Sequence, residues 1–221
     1  MQSPAQLRQQ YRMHSENQLY YFGITLGYNS SYLQLNRSPN FLNDSILSAY
    51  PKPSGGITMG LLATARMTDH FQARFNPQLM IGGGKAINYI LSDKRLPGES
   101  REQLQVLPST MMSFPLQIKF NSDRIDNFRA YLLGGVKFDI DLSNSATSRN
   151  AEDIVKIKKY DVGLEAGIGI NLYLPFVTIS PEIKISYGLS DIHKTDPALK
   201  YSNVFDKLQS RMIVFSIHLE D

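Results

Sequence analysis

Eight stretches of this chain alternate apolar and polar side chains with a period of two, and that pattern limits the fold before anything else does. From Tyr20 the even positions are Phe22, Ile24, Leu26 and Tyr28, against Gly23, Thr25, Gly27 and Asn29. A second run sets Ile57, Met59, Leu61, Ala63 and Ala65 against Thr58, Gly60, Thr64 and Arg66. A third sets Phe71, Ala73, Phe75, Leu79 and Ile81 against Gln72, Arg74, Asn76 and Gln78. The fourth opposes Val106, Met112, Phe114, Leu116 and Ile118 to Gln105, Ser109, Ser113, Gln117 and Lys119. Comparable runs begin at Phe128, Tyr160 and Val177, and the last carries Ile213, Phe215, Ile217 and Leu219 against Ser210, Ser216 and His218. Side chains alternate across a strand and recur every 3.6 residues on a helix, so sustained period-two patterning means strands. The runs also exceed the ~5–6 residues usual in soluble proteins.

The connections alternate in length. Short ones fall at Thr68-Asp69-His70, Asn121 to Asp126 and Leu174-Pro175-Phe176. Long ones, near 36–54, 84–102, 143–158 and 190–206, hold the Pro, Asn, Ser and charge clusters of exposed loops. Tight turns at one rim and long loops at the other describe an up-and-down barrel. The expectation is an all-β fold, an eight-stranded antiparallel up-and-down transmembrane β-barrel of outer-membrane type. Residues 19–221 would form the barrel and residues 1–18 a lead-in, with both termini at the short-turn, periplasmic rim.

Composition agrees without deciding. The 221 residues suit one domain, 42% are apolar and 19% charged, and the mean hydropathy is slightly negative. No run approaches the ~20 apolar residues of a membrane helix, whereas barrel strands of ~9–11 residues with every second side chain apolar leave average hydropathy almost unmarked. The net charge of +3 comes from 23 Lys and Arg spread along the chain, which is no nucleic-acid footprint. There is no cysteine, and a closed barrel needs no disulfide. The opening Met-Gln-Ser-Pro lacks a basic-then-apolar signal. The expectation is that a native signal peptide has been removed and that Met1 is an added start.

Alternation does not say which face points outward. The polar face carries Gly23, Gly27, Gly60, Gly135, Gly163, Gly167 and Gly169. A crowded interior needs such small residues, and a solvent face does not. The apolar faces hold more bulk than an eight-stranded interior can take. Tyr20, Phe22, Phe71, Phe120, Phe128, Tyr160 and Tyr187 sit near strand ends, where interfacial girdles place rings. The apolar face therefore meets the lipid bilayer. The inward ions Arg66, Arg74, Lys119, Arg129, Lys137 and Lys184 then face Asp139, Asp161, Glu165 and Glu182. Unpaired buried charge costs several kcal/mol, so a structural network of cross-barrel ion pairs is expected rather than an ion path.

Nothing in the residues marks catalysis, a metal or a cofactor. His14 lies in the lead-in, His70 in a short turn, His193 in a long loop and His218 near the last strand's end. His70 and His218 read as solvated rim residues. His193 with Ser190, Asp191 and Asp196 is a weak imitation of a triad, since such groups are common in exposed loops. Gly82-Gly83-Gly84-Lys85 lacks the spacing of a phosphate loop and reads as a flexible rim exit. The lead-in, with Arg8, Arg12 and several Gln, reads as a partner-binding arm.

Several blocks resemble the PorT (also called SprT) family of the Bacteroidota. These are Tyr21-Phe22-Gly23-Ile24-Thr25-Leu26-Gly27-Tyr28-Asn29, Arg74-Phe75-Asn76-Pro77 and Pro115-Leu116-Gln117-Ile118-Lys119. Further along are Ser122-Asp123-Arg124-Ile125-Asp126-Asn127-Phe128-Arg129-Ala130-Tyr131, Asp161-Val162-Gly163-Leu164-Glu165-Ala166-Gly167 and Ser180-Pro181-Glu182-Ile183-Lys184. Their order and spacing extend from about Leu19 to the C-terminus. The resemblance implies a component of the type IX protein secretion system, which exports cargo carrying a C-terminal signal domain and supports gliding motility where present. It implies an accessory or assembly role, with other outer-membrane or periplasmic components of that machine as partners, and assigns no functional residues. The ending Ile217-His218-Leu219-Glu220-Asp221 departs from the aromatic terminus of many such barrels, and the alternation reads as stopping early. The alternative is a stand-alone adhesin or surface-binding barrel. A barrel hydrolase and a narrow pore are the remaining readings.

Overall fold

The computed structural model describes residues 11, 18–37, 46–83, 85–91, 102–107, 110–143, 158–191 and 205–221. Its strands are β1 (Tyr20–Arg37), β2 (Ile46–Lys52), β3 (Ser54–Arg66), β4 (Phe71–Phe75), β5 (Gln78–Gly82) and β6 (Lys85–Leu91). After them come β7 (Glu102–Leu107), β8 (Thr110–Asn121), β9 (Phe128–Asp141), β10 (Tyr160–Tyr173), β11 (Thr178–Gly188) and β12 (Phe205–Glu220). The wall runs β1-β12-β11-β10-β9-β8-β4/β5-β3, and β3 pairs with β1 to close it, every contact antiparallel. β4 and β5 are one stave: Phe75 and Gln78 meet Ala63 and Gly60 on β3, and Leu116 and Ser113 on β8, in unchanged register across the break. The break is Pro77, which has no N–H to give, yet its carbonyl still accepts from Leu61 N at 3.0 Å. With that stave counted once, the barrel has eight strands.

Closure satisfies the backbone internally, as lipid demands. The outward positions are large and apolar over the height of the wall, with Phe22 66%, Leu61 65% and Ile168 58% exposed. Inward positions are mostly small or polar and buried, with a minority of large apolar side chains such as Leu33, Leu62, Met80 and Met212 packed among them. Aromatic rings crowd both ends of the wall. Phe71 and Phe120 are cross-strand partners near the short-turn rim, with centroids 5.1 Å apart, and Phe138 stacks on Tyr160 at 5.8 Å toward the long-loop rim. Among the described residues no helix is long and apolar enough to cross a membrane, and strands do the crossing here.

Three features differ from the sequence reading. The regions near 36–54 and 84–102 are not plain loops, because β1 extends to Arg37 and the strands β2, β6 and β7 form a second antiparallel sheet beyond the wall. Gln105 and Val106 belong to β7 in that sheet, so the barrel strand expected from them starts only at Thr110. The small sheet is a continuation of the wall hairpin. Lys52 pairs with Ala86, four residues further along each strand than Gly56 with Gly82, so the ladder resumes in the same register. The link occurs at Gly82 (φ 81°) and Gly83 (φ 68°), left-handed conformations that glycine adopts without strain. Gly83 is buried and accepts a hydrogen bond from Ser31 Oγ on β1, so the exit leans across the inner side of β3. The third difference is the C-terminus: β12 keeps alternating to Glu220, which points inward, and Asp221 N donates to Phe22 O at 3.0 Å.

Candidate functional site

The lumen is where this chain concentrates its chemistry. Arg74 on β4 reaches across the full barrel, since β4 and β11 are four staves apart in either direction. Its Nη1 donates to Glu182 Oε2 at 2.7 Å and its Nη2 to Glu220 Oε1 on β12 at 3.1 Å. Glu182 is the hub. Tyr131 Oη of β9 donates to the same Oε2 at 2.7 Å, while Oε1 faces His218 Nε2 at 3.2 Å and Lys184 Nζ at 3.6 Å. Lys119 Nζ lies 3.9 Å from the centroid of the Tyr131 ring and donates to Asn171 Oδ1 at 3.1 Å. The Tyr131 ring fits because residue 169 on β10 is glycine, where a Cβ would collide with it. Tying both ends of a guanidinium to two carboxylates offsets the desolvation that isolated charges would suffer.

A second polar group lies nearer the long-loop rim. Lys137 Nζ pairs with Asp139 Oδ2 at 2.6 Å, and Ser113 Oγ donates to Asp139 Oδ1 at 2.5 Å. Glu165 accepts from Gln117 Nε2, and Asp161 is buried beside Gly188. Elsewhere in the lumen Met80 of β5 and Met111 of β8 pack with Met212 and Val214 of β12.

Of the residues expected inward, Arg74, Lys119, Lys137, Asp139, Asp161, Glu165, Glu182 and Lys184 are buried in the lumen. Arg66 is not part of the cross-barrel network. It sits at the end of β3 and pairs with Asp69 of the adjoining turn at 2.6 Å, because the strand ends there and the turn carboxylate is nearer than any across the lumen. Arg129 is half-buried, and with Arg66, Gln72, Tyr173 and Glu220 it lines a hollow of about 40 Å3 at the short-turn mouth.

His218 corrects the sequence reading most. It is not a solvated rim residue but fully buried, with Nδ1 2.9 Å from Thr25 Oγ1 and Nε2 on Glu182. His70 stays exposed, its Nδ1 3.1 Å from Asn121 O, and the two rings keep separate partners. Gln117, Asn171 and His218 stood on the polar faces but outside the expected ion network, and Glu220 was absent from both. The signal for Glu220 was there, since it continues the inward parity of Ser216 and His218 by one step.

Thr25, His218 and Glu182 stand as hydroxyl, imidazole and carboxylate in line, the order of a hydrolase relay. Their surroundings oppose that use. Thr25 Oγ1 donates to Asn76 Oδ1 at 3.1 Å, Glu182 is bound by Arg74, and Thr25 is only 1% exposed, leaving no face for a substrate. His14, His193 and Asp196 lie outside the described residues. Among the described residues no group of three or more His, Cys, Asp or Glu is placed to hold a metal.

A closed antiparallel barrel with an apolar exterior and an ion-paired interior defines a membrane-spanning protein of outer-membrane type. The family model for the outer membrane protein beta-barrel domain matches residues 5–194, and the chain belongs to that family. No curated protein matches it. Among solved structures it is similar to Neisserial surface protein A, at 12% identity and TM-score 0.44, over 91% of this chain and 96% of that one. It is also similar to OprG from Pseudomonas aeruginosa, at 14% identity and TM-score 0.44, over 91% and 92%. A third is Ail, the attachment invasion locus protein of Yersinia pestis, at 9% identity and TM-score 0.41, over 92% and 100%.

Proposed function

We propose that this barrel is a non-enzymatic component of the type IX protein secretion system, needed for export of cargo with C-terminal signal domains and for gliding where the cell glides. The resemblance to the PorT (SprT) family of the Bacteroidota supports this reading, and its blocks coincide with the lumen network: Arg74, Lys119, Tyr131, Glu182 and Lys184 all fall within them. The observation that carries the mechanism is the Arg74–Glu182–Glu220 bridge across the lumen. A barrel filled in this way gives cargo no passage, so its contribution lies on its outer surfaces, as an assembly or anchoring part. In this reading both termini are periplasmic, and the partners are other outer-membrane or periplasmic components of the machine, within the lipid bilayer.

The test is a clean gene deletion complemented in trans, with the secretome and periplasm compared by mass spectrometry. Cargo with C-terminal signal domains should accumulate in the periplasm and leave the cell again on complementation. Unchanged export would remove the secretion role. A second reading, a stand-alone adhesin or surface-binding barrel, is favoured by the three-stranded sheet that β2, β6 and β7 raise beyond the long-loop rim. Replacing residues 46–52 and 85–107 with short turns would then abolish attachment and leave export intact.

A further inference from the structure

The turn between β8 and β9 holds a piece of main chain that belongs to neither strand. Tyr11 of the lead-in donates its N–H to Asn127 Oδ1 at 2.8 Å, and its carbonyl accepts from Arg124 Nη2 at 2.5 Å. Both grips are fixed from behind. Arg124 Nη2 also donates to Asn127 Oδ1 at 3.0 Å and its Nε to Asp126 O at 2.7 Å, while the guanidinium lies 4.0 Å from the centroid of the Tyr173 ring on β10. The turn is set by reciprocal bonds of 2.9 Å between Ile125 and Phe128 and by Asp126 at φ 53°. Tyr173 N ties it to β10 through Asn127 O at 3.0 Å.

Two properties follow. The grips read one main-chain donor and one main-chain acceptor, the groups by which a sheet edge recruits an extended peptide irrespective of its side chains. The place is also remote from where the lead-in enters the wall, since β8 and β9 lie three and four staves from β1. Tyr11 is held by this turn.

We propose that the β8–β9 turn is a docking clamp for an extended peptide segment, occupied in cis by the lead-in at Tyr11 and open to exchange with an extended segment supplied in trans. The N–H at position 11 is required, so proline there is excluded, and the half-buried Tyr11 side chain adds packing to the main-chain grips. The proposal does not rest on the secretion reading and stands or falls separately from it.

Hydrogen exchange of the full chain in lipid nanodiscs tests it. The Tyr11 amide should exchange about tenfold more slowly than in the Arg124→Ala/Asn127→Ala variant, the factor that ~1.4 kcal/mol of lost bonding represents. Arg124→Lys, which keeps the charge but not the fork, should lie between the two. Heat-dependent gel mobility checks that each variant forms the barrel. An excess of isotopically labelled synthetic peptide spanning residues 5–18 should then accelerate exchange at Tyr11 of the full chain. The same peptide carrying Tyr11→Ala should still compete, and one carrying Tyr11→Pro should not. An unprotected Tyr11 amide, or protection indifferent to Arg124 and Asn127, overturns the clamp. No acceleration by the peptide overturns exchange, and equal competition by the proline peptide overturns main-chain recognition.

Discussion

At the scale of single residues, the protein depends on a few inward side chains whose partners come from far along the chain. Arg74 and Glu182 are 108 positions apart in sequence and share a 2.7 Å bond across the barrel. Removing one partner strands the other in a dry interior, so Arg74→Met should lower unfolding stability by about 3–5 kcal/mol. Adding Glu182→Leu should return part of that loss, giving a coupling of at least ~1.5 kcal/mol in a double-mutant cycle. Urea unfolding in lipid vesicles measures both. Gly169→Ala should also destabilise, because the new methyl meets the Tyr131 ring, and Tyr131→Ala in the same chain should relieve the clash. The inward set was largely legible from parity, since every second residue of a wall strand shares a face. Arg66 and His218 were not, because parity locates a side chain on a face but not at a height. One of them stands level with a turn carboxylate and the other within reach of Glu182.

At the scale of elements, each wall strand carries one lipid face and one lumen face, and the two respond differently to the same substitution. Ile168→Lys, far from both ends of β10, should cost about 2–4 kcal/mol of folding free energy in vesicles, whereas Phe128→Lys at a strand end should cost ~0–1 kcal/mol. Equal costs at the two depths would contradict the placement of the wall in the bilayer. Strand existence followed from alternation, and the proline at 77 left it intact because it sits between Asn76 and Gln78 without disturbing their inward parity. The strands β2 and β6 were not legible, and β7 was read only through Gln105 and Val106, as the start of a wall strand. They are short and bordered by Pro53, Gly84 or Pro108, and they form because the hairpins of the wall deliver them already side by side.

At the scale of the whole molecule, closure turns eight half-buried strands into a sealed body. Arg74, Glu182 and Glu220 span one level of the lumen, and Lys137 with Asp139 occupies another beside the packed methionines. An eight-stranded interior is only wide enough for its own side chains. Planar bilayers holding the purified protein should therefore show no discrete conductance steps, and stable steps would refute a filled lumen. The strand number and the wall's two faces, apolar outward and polar inward, were written locally in the sequence, because a period of two over a lipid-spanning length is a property of neighbouring residues. Which inward charges meet, where the wall continues past the rim, and that Tyr11 is gripped by Arg124 and Asn127 were decided only by the tertiary structure. Each of these depends on the register accumulated around the barrel, and no stretch of chain carries that sum by itself.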